Sequence, residues 1–347
     1  MIYIVVALML SSLAYVELVN MSRRYSVISL FFALIIFVLI AGLRNNVGAD
    51  WVSYLNFYQD LEEAARLEVG YELINNFFSN LSAPYTIFLL FANFMALSFM
   101  FYFIKNNTKL MLLAALLLFC DLYLYYNLSG IRQAIAISIT CYSITYVISR
   151  QFYKFILAVL LASSFHASAL VFILVYYLPA RLPSFKYISG VGILFFVAFI
   201  FRESIAEFIT LYNLKDATYY VKNQQSIISA NSYIVGILKR SILVVALALY
   251  GRRYLIDGNN YLFVNVYLLG LLIYISTYNI SPDIGVRLSS YFTIFEIVIV
   301  GGLISSIRAW SSRIVIITTF VCVALYKIIG YMNDDSYNYQ LALHNIL

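Results

Sequence analysis

Long stretches of this chain carry almost no charge, and that property decides most of what it can fold into. Val27 to Leu43 contains no ionisable side chain. A helix needs roughly 20 apolar residues to cross a hydrocarbon core. Runs of about that length recur at 2–19, 26–43, 84–104, 110–126, 130–148, 155–178, 187–201, 231–250, 260–278, 288–306 and 314–330. Inside a bilayer the backbone must satisfy its own hydrogen bonds, so spanning segments of this kind are helices. Only 11% of the 347 residues are charged and 63% are hydrophobic, whereas a soluble domain carries about 25% charge. The expected fold is an all-α polytopic integral membrane protein with about 10–12 transmembrane helices. Little polar sequence remains for anything else, so residues 1–347 are expected to form a single membrane domain.

The net charge of +6 does not point to nucleic acid. The basic residues come in small clusters between apolar runs, as on the cytoplasmic loops of inserted proteins. Cys120, Cys141 and Cys322 all lie inside apolar runs without metal-ligand spacing, and read as buried small hydrophobes. Met1 to Val19 lacks a basic start and resembles a first span more than a cleaved signal.

Lys/Arg bias orients the spans. Arg23/Arg24, Lys105/Lys109, Arg150/Lys154, Arg181/Lys186, Arg252/Arg253 and Arg308/Arg313 should all be cytoplasmic. A single crossing at 155–178 would break this pattern, because Arg181 and Lys186 would fall outside. The conflict disappears if the segment goes in and returns. Its middle, LLASSFHASALV, interrupts the apolar run, and each flank is about 16 Å of helix. The expectation is a broken or re-entrant hairpin with His166 near its tip, or two short packed spans of the same parity. Residues 44–83 then form an outer loop with interfacial helices, and 202–230 a second outer loop.

This topology gathers cations on the outer face, where positive charge should be sparse. Arg44 and Asp50 follow span 2 in GLRNNVGADWVSY, Arg132 opens a span in NLSGIRQAIA, Arg287 opens another in SPDIGVRLSSYF, and His166 points the same way. Arginine suits bidentate recognition of phosphate. Structural readings compete: Arg44 as a snorkelling helix end, Arg287 paired with Asp283, and His166 as a core histidine bonded to a serine. Lys239 and Arg240 fall mid-window, so they line the cavity or their span starts later. Asp121 and Glu296 read as polar glue or arginine partners. The run DLEEAARLE, Asp60 to Glu68, reads as a solvated face.

Five stretches, in order, resemble the EpsG/Wzy-like family of exopolysaccharide and O-antigen polymerases. They are GLRNNVGADWVSYLNFY, VGYELINNFFSNL, NLSGIRQAIAISI, SFHASAL and GVRLSSYF, spread over residues 42 to 292. Ala49-Asp50-Trp51 departs mildly from the expected Thr-Asp-aromatic but keeps the acid. The resemblance implies a multi-pass protein of the bacterial cytoplasmic membrane with a GT-C-like architecture. Its outward-facing cavity would open to the periplasm or cell exterior. It implies a glycosyltransferase that joins oligosaccharide repeat units carried on undecaprenyl diphosphate and releases that lipid. Arg132 and Arg287, then Arg44 and Arg240, would bind the diphosphate. His166 is the expected base, with Asp50 its rival, and Trp51, Tyr54, Gln133 and Asp283 would contact substrate. No cofactor and no metal is expected, because no DxD or ligand-spaced cluster occurs. A chain-length regulator in the membrane is an expected further partner. The competing classes are a flippase or transporter of the same lipid-linked glycan and an O-antigen ligase-type transferase.

Overall fold

The structure is a computed structural model. It describes residues 2–20, 22–60, 67–181 and 230–342, with single positions at 193, 200, 201, 203, 204 and 207. Most of the expected span 187–201 and most of the loop 202–230 lie outside the described residues, as do Glu62, Glu63 and Lys186.

The described chain is helical. In order it forms α1 (Ile2–Asn20), α2 (Arg23–Gly42), α3 (Trp51–Gln59), α4 (Val69–Asn80), α5 (Tyr85–Asn107), α6 (Met111–Leu118), α7 (Ile131–Ile148), α8 (Phe152–Ser163), α9 (Ala230–Tyr250), α10 (Gly258–Thr277), α11 (Pro282–Thr293), α12 (Glu296–Ser306) and α13 (Trp310–Met332). A π-helical segment, Phe119–Asn127, continues α6, and a 3-10 segment, Ala167–Tyr177, follows α8. Seven of these helices are long and apolar enough to cross a membrane, or eight if the bent pair α11–α12 counts as one span. The protein is an all-α polytopic membrane protein. The apolar surface of α2, including Phe31, Phe32 and Ile35, is exposed. In water it would be an aggregating patch; against lipid it needs no cover.

The chain divides into two compact units, Met1–Ile173 with Val300–Leu347, and Leu174–Ile299. The first is built around α6. Every residue from Met111 to Leu118 is buried, as expected of a helix apolar on all sides, and α1, α2, α5 and α13 pack on it. Glu17, fully buried near the end of α1, accepts hydrogen bonds from Met111 N and Leu112 N, both at 2.9 Å. The carboxylate thereby caps a helix N-terminus, where backbone donors are unpaired and the dipole favours negative charge. Further along, α7 packs against α5 and α8.

The broken hairpin is present. Helix α8 ends at Ser163 and the 3-10 segment starts at Ala167. The rings of Phe155 and Phe172 are 6.2 Å apart. In a continuous helix they would be separated by roughly 25 Å, so the chain folds back at Ser164 to His166.

Three expectations change. Arg287 does not open its span: α11 begins at Pro282, a favoured first-turn residue, and Arg287 sits in its second turn. The span 288–306 is instead two helices bent by 42° at Ile294–Phe295. Lys239 and Arg240 lie mid-helix, since α9 runs from Ala230.

Candidate functional site

One end of the first unit gathers five pieces of chain. Ala49 N donates to Ser129 Oγ at 2.9 Å, which joins the loop after α2 to the turn before α7. Gly48 N donates to Ser336 O at 2.7 Å and brings in the C-terminal tail. Gly70 N donates to Ser164 O at 2.7 Å and docks α4 on the hairpin tip. Gly48 is required here, with φ at +100° and a Cβ position only 2.0 Å from Leu128 O. Following the helices away from this end leads to Arg23/Arg24, Lys105/Lys109, Arg150/Lys154 and Arg308/Arg313, all at the opposite end of the unit.

Arg132, in the first turn of α7, is the centre of the gathering. Its Nη1 meets Glu68 Oε2 at 2.5 Å, and its Nε donates to the Tyr54 hydroxyl at 3.1 Å. The guanidinium carbon lies 5.7 Å from the Tyr54 ring centroid. The other oxygen of Glu68, Oε1, accepts from Ala167 N at 3.3 Å. Burial opposes ionisation of the Glu68 carboxyl, but Arg132, and His166 when protonated, hold it below the usual carboxylate range. His166 Nδ1 is 2.6 Å from Ser168 Oγ. Glu68 is therefore not part of a solvated face. It links α7 to the hairpin tip, and sequence reading missed it because an acid at the end of an acidic run looks like surface. Its neighbours Val69-Gly70-Tyr71 were the available signal, since Gly70 has no room for a side chain: its Cβ position is 2.4 Å from Ser164 Oγ.

Arg44 has a different environment. It is 1% exposed. Its Nε donates to Val47 O at 3.2 Å and its Nη1 to Ala41 O. Among the described residues no carboxylate pairs with it. Burial pulls its pKa below the usual arginine value, while Tyr85, Tyr123, Tyr71 and Tyr3 lie within reach of its charge and oppose that shift. The tail closes over this loop: Asn45 N donates to Gln340 O at 2.9 Å, Ala342 N to Leu43 O at 2.9 Å, and the Tyr339 hydroxyl to Ile40 O at 3.1 Å. Arg44 thus organises its own loop, and the snorkelling reading does not hold.

Asp50 takes the N-cap position of α3 without a side-chain capping bond. Trp51 packs edge-on against Tyr85 at 5.9 Å. From there rings run through Phe88 and Tyr71 to Tyr54 at 5.9, 5.7 and 5.6 Å. The Trp51 indole nitrogen and the Tyr71 and Tyr85 hydroxyls are buried without a hydrogen-bond partner among the described residues. Gln133 is 1% exposed and faces the interior of the unit.

Asp121 pairs with Lys327 of α13, Oδ1 to Nζ at 2.8 Å. Glu17 and Lys327 were both visible as ionisable residues within apolar runs, the pattern that flags a buried partner.

The second unit holds the remaining cations. The Arg240 guanidinium lies 3.8 Å from the Tyr274 ring centroid, a cation–π contact, and its Nη1 donates to Gly236 O at 3.1 Å. Gly236 permits this approach, since a Cβ there would fall 1.9 Å from the Tyr274 hydroxyl. Tyr233 stacks on Tyr278 at 5.3 Å. Asp283 and Arg287 stand four residues apart on α11 and so share a face. Among the described residues no group of three His, Cys, Asp or Glu side chains is placed to hold a metal ion.

The EpsG family matches the chain over residues 27–342. No curated protein matches it, and no solved structure does.

Proposed function

The chain belongs to the EpsG family, which points to a polysaccharide polymerase of glycosyltransferase type, and on that premise we propose a specific reaction. The protein joins oligosaccharide repeat units carried on undecaprenyl diphosphate, at the outer face of a bacterial cytoplasmic membrane. The observation that carries this reading is the cluster of Arg132, Tyr54, Glu68 and His166 at one end of the first unit. The segregation of the basic pairs to the opposite end supports an outward orientation of that cluster.

In the proposed step a sugar hydroxyl of one lipid-linked unit attacks the anomeric carbon of the glycan on a second. The new glycosidic C–O bond forms as the bond from that carbon to the diphosphate oxygen breaks. The electron pair leaves with undecaprenyl diphosphate, and the hydroxyl proton goes to a base. Charge grows on the diphosphate as the bond breaks, so a fixed guanidinium there stabilises the transition state more than the ground state. Arg132 takes that role; in the second unit, Arg287 and Arg240 are separate candidates for binding a phosphate. Arg44 supports the loop instead. His166 is the base: in the tautomer that donates Nδ1–H to Ser168, Nε2 is the basic nitrogen, and imidazole is the side chain best suited to take a proton near neutral pH. Asp50 remains the rival. Trp51, which is partly exposed, offers a ring face to a sugar, while the buried Tyr54 holds Arg132. Gln133, buried in the unit, does not reach the glycan, and Asp283 of the second unit is a separate candidate for polar contact. A chain-length regulator is the proposed protein partner.

The test is a glycan ladder. Purified protein is incubated with its lipid-linked repeat unit in chelator, beside Arg132→Gln and His166→Gln. The wild type should extend the glycan without added metal, and Arg132→Gln should lose roughly 10²–10³-fold in rate. A folded wild type that moves the lipid between leaflets but never extends it would make the protein a transporter. A ladder that stops in chelator and returns with a divalent cation would remove the arginine-only chemistry.

A further inference from the structure

Arg132 is held by an internal anion, and the way it is held is uneven. Glu68 meets Nη1 through one oxygen only, and Tyr54 takes Nε, while Nη2 has no hydrogen-bond partner among the described residues. The second Glu68 oxygen is occupied elsewhere, by Ala167 N. A carboxylate free to optimise its pairing with arginine would take two parallel bonds. Glu68 is instead shared between α7 and the hairpin tip. Both partners are mostly covered but still reached by solvent, with side chains 18% and 19% exposed. A second anion arriving from that side can therefore compete for Arg132.

From this geometry we infer that Glu68 is a stand-in for the substrate's diphosphate. It neutralises Arg132 until the lipid-linked donor arrives, and the diphosphate then displaces it. The inference rests on the assignment of Arg132 to the diphosphate. A diphosphate brings more charge than one carboxylate and offers oxygens to Nη1 and Nη2 together, which Glu68 does not do. Exchange has a consequence for the hairpin. Glu68 Oε2 leaves Arg132 while Oε1 still faces Ala167 N, so the displaced carboxylate stays beside His166. An anion there favours the protonated imidazole, which is the form His166 reaches when it accepts the acceptor's proton. Glu68 is therefore a positioning residue with two states, one clamped on Arg132 and one released toward His166.

Binding, rather than polymerisation, tests this directly. The probe is undecaprenyl diphosphate in detergent micelles, with undecaprenol as the control for partition into the micelle. Glu68→Gln keeps the side-chain shape but removes the competing charge, so it should bind the probe about tenfold more tightly while extending glycan more slowly. On an Arg132→Gln background the same change should give no gain. Glu68→Asp, too short to reach both partners, should also tighten binding and serves if Glu68→Gln does not fold. Unchanged or weaker binding in both folded Glu68 variants would overturn the exchange. Full probe affinity in Arg132→Gln would instead remove the assignment of Arg132, whatever Glu68 does.

Discussion

Single carboxylates decide local order here in two ways. Glu17 is buried and caps α6 from another helix. Glu17→Ala strands two backbone donors at the core of the first unit and should cost about 1–3 kcal/mol, read as a lower unfolding temperature in detergent. Glu68 sits in a loop with a depressed pKa. A depressed carboxylate contributes stability that is present above its unfolded pKa and lost as pH falls through its folded value. The difference in unfolding temperature between wild type and Glu68→Gln should therefore hold steady from pH 8 to pH 5. It should shrink only below the ordinary value of 4.5. A difference that disappears already at pH 6 would mean the pair is not what depresses the group. Gly48→Ala should be destabilising at any pH, because φ is positive and Leu128 O occupies the space. Arg132, His166 and Tyr54 were legible in the sequence as site candidates because they stand at breaks between apolar runs. Glu68 was not, because its partner is 64 positions away and its own neighbours are acidic.

At the level of elements, apolar run length and charge bias located most of the helices. They also required the fold-back at Ser164 to His166, since a single crossing there would invert every later loop. The contact between Phe155 and Phe172 is the physical form of that requirement. What the apolar pattern missed is where helices bend or end. A run such as 288–306 stays hydrophobic through the 42° bend at Ile294–Phe295, because a kink changes direction and not composition. The start of α11 at Pro282 was hidden for the opposite reason, its first two turns being too polar to count as a span. The tail is the element the sequence concealed most fully. Tyr337, Tyr339 and Ser336 form no regular pattern, yet they hold the Arg44 loop. Removing the chain after Asn333 should leave the helices folded while making the 43–50 loop susceptible to protease. A truncated protein with that loop still protected would show that Arg44 alone maintains it.

For the molecule as a whole, lipid exposure has a simple chemical reporter. Of the three cysteines, Cys120 and Cys141 are buried and Cys322 is exposed on α13. A lipid-soluble maleimide should label one thiol per native chain and all three after unfolding, as read by intact mass. Two or more labels on the native protein would mean that the packing around α6 or α7 is wrong. The closure of the tail over the Arg44 loop also bears on how the protein is made. Residues 336–342 leave the ribosome almost three hundred positions after the loop they complete. Throughout synthesis that loop must wait beside the membrane with its arginine uncovered, and no shortened product can finish it. A chain interrupted before residue 336 therefore lacks the contacts that hold this loop in place.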